Sequence, residues 1–115
     1  KESPFIDNMM VVGENQKFAA ALVVPDFSHL KSWCKIKEIE YTSDAEMIVD
    51  QRVKSRLMKV IEQYNKGFGA TEQIKKVEFM PAEWSTATGE LTPTLKLRRA
   101  VIQEKYKKQI EKLFA

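Results

Sequence analysis

The sequence predicts an α+β domain in which helices pack on a small sheet of about three strands. Two observations lead to this class. An apolar hairpin pattern opens the chain, and helical periodicity dominates two later segments. A length of 115 residues is that of one domain, so residues 1–115 are treated as a single unit. The predicted order of elements is β-β-α-α-β-loop-α.

The first two elements are a predicted β-hairpin. Phe5 to Val12 is apolar and β-branched enough for a strand, and residues 13–17 supply a polar turn. Phe18 to Val24 is apolar throughout, which is typical of a buried strand. Pro25 ends that strand because proline cannot continue a hydrogen-bonded ladder.

A short helix is expected next, with Asp26 or Ser28 as its cap. Cys34 lies on its apolar side and is interpreted as a core residue. His29 is interpreted as a surface or half-buried residue. These two soft ligands in one short helix are too few for a zinc site, so no metal site is predicted.

Ser43 and Glu46 form a capping box ahead of the clearest amphipathic helix, which ends near Asn65. Its apolar residues recur at helical spacing and are Met47, Val49, Val53, Leu57, Val60, Ile61 and Tyr64. Because the spacing continues without a gap, a single helix is expected over this stretch.

The last third of the chain combines a short strand, a long loop and a helix. Val77 to Met80 is the predicted strand, and Pro81 closes it. Ala82 to Leu95 contains glycine, proline and several threonines, so an irregular loop is expected. A final amphipathic helix is predicted from about Arg98 to Phe114.

Composition limits the function classes. The chain is 43% hydrophobic and 30% charged, with a net charge of +3 and one cysteine, so an ordinary cytoplasmic domain is expected. No apolar run approaches membrane-spanning length, and no signal-peptide pattern opens the chain. The first residue is not Met, so an excised fragment is one interpretation.

Motifs for chemistry are mostly missing from the residues themselves. The four glycines form no phosphate-cradling loop, and no catalytic pair of carboxylates stands out. Two interpretations follow. The chain is either a binding module, or it supplies one group to a site that is built elsewhere.

Two segments nevertheless resemble a known family. The first, FIDNMMVVGENQKFAAALVVPDF from Phe5 to Phe27, resembles the hairpin in the C-terminal domain of AMP-forming long-chain fatty acid–CoA ligases. The second, GELTPTLKLRRAVI from Gly89 to Ile102, resembles the loop and helix start that close the same domain. Their order and spacing fit, and the likeness spans almost the whole chain.

Lys96 matches the catalytic lysine of that family. The wider adenylate-forming superfamily usually carries Ser-Gly-Lys here, with an arginine three residues after the lysine. In this chain the triplet is Thr94-Leu95-Lys96, and Arg99 takes the arginine position. Leu95 therefore replaces the usual glycine, which is the form associated with the long-chain acyl branch.

The resemblance implies a two-step reaction of ATP, a fatty acid and coenzyme A. Lys96 would contact the carboxylate and the α-phosphate in the first step. Thr92 and Thr94 are expected to orient the loop through hydroxyl–backbone hydrogen bonds. Arg99 is expected to anchor the loop at the helix start, with a ligand contact as the alternative.

The resemblance also implies what lies outside this chain. ATP, Mg²⁺ and the acyl chain would be bound mainly by the chain's own N-terminal adenylation domain, and the hinge and first loop would lie upstream of Lys1. The isolated chain is therefore expected to be inactive, to hold no cofactor tightly and to bind no nucleic acid. The resemblance also allows a peripheral membrane association of the full enzyme.

Two alternatives remain open at this point. One is a non-enzymatic module that binds nucleic acid or a protein, supported by a pI near 9.0. It is also supported by the basic last helix, with Lys105, Lys107, Lys108 and Lys112, although Glu104 and Glu111 interrupt these lysines. The other alternative is the C-terminal domain of a different adenylate-forming enzyme, which Leu95 in place of glycine disfavours.

Overall fold

The computed structural model describes residues 5–13, 16–67 and 73–114. Three strands and five helices occur in this part of the chain, which confirms the α+β class. In chain order they are β1 (Ile6–Val12), β2 (Ala19–Pro25), α1 (Phe27–Ile36), α2 (Asp44–Val49), α3 (Gln51–Asn65), β3 (Ile74–Phe79), α4 (Arg99–Lys105) and α5 (Lys107–Leu113).

The sheet is mixed and has the order β1-β2-β3. β1 pairs antiparallel with β2, with Met10 opposite Leu22, so the predicted hairpin is confirmed; residues 14 and 15 of its turn lie outside the described residues. β2 pairs in parallel with β3, with Val23 opposite Phe79. The parallel pair requires a crossover, and α1, α2 and α3 lie within it.

The central strand is buried on both faces. Leu22 and Val24 belong to one apolar cluster, whereas Ala21 and Val23 belong to another. This alternation is the period of two that a strand imposes, because successive side chains point to opposite faces. It explains why β2 is apolar throughout rather than alternating between apolar and polar residues.

The third strand begins earlier than the sequence predicted. It starts at Ile74 rather than Val77. The sequence analysis missed this start because Lys75 and Lys76, which lie exposed on the first half of the strand, hide its apolar pattern. Lysines are common on edge strands, where they discourage pairing with other chains. The Asn65 side chain fixes the start, since it accepts from the Ile74 amide at 2.8 Å and donates to the Ile74 carbonyl at 3.0 Å.

The prediction of a single helix after Ser43 is wrong, because the helix is interrupted at Asp50. Asp50 has extended backbone angles (φ −64°, ψ 131°), ends α2 and caps α3 by accepting a hydrogen bond from the Arg52 amide at 2.8 Å. The Arg52 guanidinium also lies 2.9 Å from the Asp50 carboxylate. Val49, which helical spacing placed on the apolar face, is 58% exposed as a result.

The predicted single final helix is also wrong. Tyr106 (φ −111°, ψ 26°) separates α4 from α5.

In α1, Asp26 rather than Ser28 is the cap, accepting from the His29 amide at 3.0 Å. Cys34 is fully buried, as predicted. Burial raises the pKa of its thiol, as expected for a packing residue rather than a nucleophile.

Gly13, at the end of β1, is a position that only glycine fits. Its φ is +131°, and a Cβ there would lie 2.7 Å from the Phe18 carbonyl oxygen. We expect Gly13→Ala to lower the free energy of unfolding by about 2 kcal/mol or more, because strain and steric overlap add. Urea unfolding of the chain measures this difference.

Gly67 supplies the matched control. A Cβ on Gly67 would come no closer than 3.8 Å to the Tyr64 carbonyl oxygen, which is ordinary contact. Gly67→Ala should therefore stay within about 1 kcal/mol of the wild-type free energy of unfolding. Equal destabilisation by both substitutions would contradict the role assigned to Gly13.

Candidate functional site

Lys96 lies on an exposed loop between β3 and α4. Leu91 and Leu97 form an antiparallel bridge at the neck of this loop, and Leu91 is buried. The loop that the bridge closes, residues 92–96, is called the Lys96 loop below. Within the described residues, no hydrogen bond or ion pair involves the Lys96 ammonium group, which is therefore available to a ligand.

Thr92 organises the Lys96 loop from within. Its amide donates to the Lys96 carbonyl at 2.8 Å, and its hydroxyl accepts from the Lys96 amide at 3.0 Å. Its carbonyl accepts from the Leu95 amide at 2.8 Å and from the Thr86 hydroxyl at 3.0 Å. The Thr94 hydroxyl lies 3.1 Å from that of Thr92. The amide and the carbonyl of Lys96 are thus both hydrogen-bonded to Thr92, whereas these contacts do not hold its side chain.

Leu95 takes the left-handed conformation, with φ at +66°. This region disfavours L-residues with a side chain and is open to glycine. The glycine that is usual in the superfamily would fit here without strain. This chain has leucine instead, but its backbone keeps the conformation that glycine favours. The Leu95 side chain is also 68% exposed.

A buried carboxylate stands directly before the neck of the loop. Glu90 is 1% exposed, and its side chain accepts from Lys105 Nζ at 2.5 Å, from the Tyr106 hydroxyl at 3.2 Å and from the Ser85 amide at 3.3 Å. The Thr88 hydroxyl is a further partner. Lys105 and Tyr106 lie at the junction of α4 and α5, so this network joins the loop neck to both helices.

The hydrogen bonds decide the ionisation of Glu90. Burial alone would raise the pKa of this carboxyl, but donors led by Lys105 and Thr88 outweigh burial and lower the pKa from 4.5 to about 2. The hydrogen bond to Glu90 raises the pKa of Lys105. Burial, followed by the charge of Glu90, raises the pKa of Tyr106. Near neutral pH the network is therefore a charged carboxylate–ammonium pair with a neutral phenol.

Arg99 connects the first turn of α4 to the sheet. Its guanidinium Nη2 donates to the Val11 carbonyl in β1 at 2.9 Å. The preceding amide, that of Arg98, donates to the Glu90 carbonyl at 2.8 Å. Of the residues singled out in the sequence, the structure brings Thr92, Thr94 and Lys96 together, whereas Arg99 is directed at β1.

A family model described as the AMP-binding enzyme C-terminal domain matches residues 1–115. The chain belongs to this family. This membership agrees with the resemblance drawn from the hairpin and from the segment that contains the Lys96 loop.

Relatives of this AMP-binding C-terminal domain are long enzymes. The long-chain-fatty-acid–CoA ligase FadD15 of Mycobacterium tuberculosis is 29% identical over 112 residues, which cover 96% of this chain and 19% of that protein. The human long-chain-fatty-acid–CoA ligase 6 is 32% identical over 113 residues, which cover 96% of this chain and 16% of that protein. The chain thus spans less than a fifth of the length of these curated relatives.

Solved structures confirm the predicted fold of this AMP-binding C-terminal domain. The adenylation domain of a carboxylate reductase from Mycobacterium chelonae matches with a TM-score of 0.72 and 20% identity, over 97% of this chain and 16% of that one. The adenylation domain of a carboxylic acid reductase from Segniliparus rugosus, in complex with AMP, matches with a TM-score of 0.64 and 18% identity, again over 97% and 16%.

Glu90 and Lys105 of this AMP-binding C-terminal domain were missed in the sequence. Glu90 falls within a segment that has no helical or strand period, so its burial had no signal there. Lys105 was counted among the cations of a basic last helix, and the structure shows in addition that its ammonium group is paired with Glu90. Sequence spacing cannot show this contact, since the two residues are 15 positions apart.

Proposed function

We propose that this chain is the C-terminal domain of an AMP-forming long-chain fatty acid–CoA ligase and that Lys96 acts in the acyl-adenylation step. Family membership over residues 1–115 carries the proposal, together with a lysine on an ordered, exposed loop. Both relatives described above are long-chain-fatty-acid–CoA ligases by name, which supports a fatty acid as the substrate.

The proposed reaction has two steps. A carboxylate oxygen of the acid attacks the α-phosphorus of ATP, and the bond to pyrophosphate breaks to give an acyl-adenylate. The thiol of coenzyme A then attacks the acyl carbon, forms the thioester and releases AMP. Both steps need reactants that are held in line, because positioning removes a large part of the barrier.

Lys96 suits the first step on electrostatic grounds. Both reactants are anions, and negative charge moves onto the oxygens around phosphorus during the attack. An ammonium group that contacts the carboxylate and the α-phosphate draws the two together and stabilises this charge. The fixed backbone of Lys96 reduces the freedom that must be lost when the side chain is placed.

The partner in this proposal is the chain's own N-terminal adenylation domain, which would bind ATP and the acyl chain. A rotation of the C-terminal domain would bring Lys96 in for the first step and withdraw it before the thiol enters. Among the described residues, no cluster of three or more His, Cys, Asp or Glu side chains could hold a metal ion. In this proposal Mg²⁺ is bound mainly by the N-terminal domain, from which it would neutralise phosphate charge.

No helix in the described part of the chain has the length and apolar character needed to cross a bilayer. A cytoplasmic location and a peripheral membrane association of the full enzyme both stay predictions.

The alternative function, a module that binds nucleic acid, loses one of its four supporting lysines, because Lys105 is paired with Glu90. The ligase is the function proposed because the family model covers residues 1–115 and the relatives described above are ligases by name.

Release of AMP by the full-length protein tests this proposal. We expect AMP when ATP, Mg²⁺, coenzyme A and a long-chain fatty acid are all present, and none from the isolated chain under the same conditions. AMP formed with an amino acid in place of the fatty acid would support another adenylate-forming enzyme. Absence of AMP with every acid supplied, or AMP from the isolated chain, would overturn the proposal.

A further inference from the structure

Glu90 carries a buried charge, and the proposed reaction assigns it no contact with a reactant. It is the one charged side chain that lies buried among residues 5–13, 16–67 and 73–114. Removing a carboxylate from water is costly unless hydrogen bonds and an opposite charge compensate for the lost solvent. Here Lys105, Tyr106, Thr88 and the Ser85 amide supply them.

The position of Glu90 in the chain links this network to Lys96. The Glu90 carbonyl accepts from the Arg98 amide at 2.8 Å, and the adjacent Leu91 and Leu97 form the bridge that closes the loop. One residue thus contacts the loop neck through its backbone, and the end of α4 and Tyr106, which precedes α5, through its side chain. Lys96 lies within the loop, directly before Leu97 of the neck, and is fixed to Thr92 by two hydrogen bonds.

A second set of contacts ties the junction of α4 and α5 to the segment before the loop. Lys105 Nζ also donates to the Thr88 carbonyl at 3.1 Å, so one ammonium group joins two points of the segment before the loop. The centre of the buried Trp84 ring lies 6.0 Å from that of Tyr106 and adds an apolar neighbour to the network. An apolar side chain could fill the same volume without the desolvation cost of a charge. A carboxylate differs in that it fixes the directions of its donors.

We propose that Glu90 is a positioning residue for Lys96, holding the Lys96 loop on α4 and α5 so that loop and helices move as one body. The inference rests on the proposed function, since it assigns to Glu90 the placement of the group that acts in adenylation. A loop that shifts relative to its helices would misplace Lys96 when the domain rotates. A shift of about 1 Å can cost on the order of a hundredfold in rate.

Glu90→Gln in the full-length enzyme tests the inference. It keeps the shape of the side chain but removes the charge that holds Lys105. We expect the rate of acyl-adenylate formation to fall about tenfold or more, because the loop becomes looser. The KM for ATP and for the acid should stay near wild type, and so should thioester formation from supplied acyl-adenylate. Rates are compared per folded enzyme.

Asn65→Ala is the control for general destabilisation. It removes two hydrogen bonds that fix the start of β3 and none in the Lys96 loop. It should lower the free energy of unfolding by about 1–2 kcal/mol and leave the ratio of the two half-reactions unchanged. If Glu90→Gln slows both half-reactions equally, as a purely structural role requires, the inference is overturned.

Lys105→Met keeps the inference testable if Glu90→Gln does not fold. It removes the ammonium group that joins Glu90 to Thr88, and it should slow adenylation selectively in the same way. Lys96→Ala, measured in parallel, separates the two proposals. If Lys96→Ala slows adenylation but neither Lys105→Met nor Glu90→Gln does, only the positioning role fails. If Lys96→Ala has no effect on adenylation, the proposed function of Lys96 fails, and the role of Glu90 fails with it.

Discussion

Replacing Lys96 with alanine is expected to slow acyl-adenylate formation by the full-length enzyme on the order of a hundredfold or more. The ammonium group would be lost where two anions must meet. Thioester formation from supplied acyl-adenylate should stay near the wild-type rate, because the proposed rotation withdraws Lys96 before that step. Pyrophosphate release and thioester production, assayed separately, measure the two half-reactions.

Lys108→Ala is the matched control for Lys96→Ala. Lys108 is also an exposed lysine, but it lies on α5 rather than on the Lys96 loop. Its removal should leave both half-reactions near wild type. Comparable slowing by Lys108→Ala would show that the effect belongs to the general positive charge of the domain. Equal loss of both half-reactions in Lys96→Ala would contradict a role restricted to adenylation.

The sheet was the most predictable part of this fold. The hairpin has a strong local signal, because the apolar run of β2 is bounded by a polar turn and a proline. Its exposed lysines made β3 less visible, since an edge strand needs apolar residues on only part of its length. The parallel pairing of β2 with β3 has no local signal at all, because the two strands are joined by three helices.

The helix breaks show where periodicity is insufficient. At Asp50 the apolar spacing continues across the break, but a side chain that caps α3 competes with continued helix. At Tyr106 the break accompanies a hydrogen bond from the phenol to Glu90. The contact at Tyr106 is tertiary and overrides local propensity, so one sequence without structure cannot reveal it.

Leu95 shows a case where motif and structure inform each other. Its place in the triplet was visible in the sequence as a departure from glycine. The left-handed φ of +66° explains why glycine suits the position, because glycine adopts that conformation without strain. The exposed leucine therefore marks a backbone conformation that this chain keeps at some steric cost.

Acid should destabilise this domain mainly through Glu90. A carboxyl whose pKa is about 2 in the folded chain, against 4.5 for its ordinary value, stabilises the fold above pH 4.5. That stabilisation is lost as the pH falls from about 4.5 towards 2, and the shift corresponds to about 3 kcal/mol. Asp50, whose pKa the hydrogen bond from Arg52 lowers to about 2, adds to the loss in the same direction from an exposed site.

Urea unfolding of the chain at several pH values, with Glu90→Gln beside wild type, measures this contribution. The free energy of unfolding of Glu90→Gln should lie about 3 kcal/mol below wild type near neutral pH, and the gap should close as the pH approaches 2. Glu104→Gln, an exposed change on α4, should follow the wild-type curve. A gap that stays constant from neutral pH to pH 2 would show that packing of the side chain, rather than the charged pair with Lys105, carries the stabilisation.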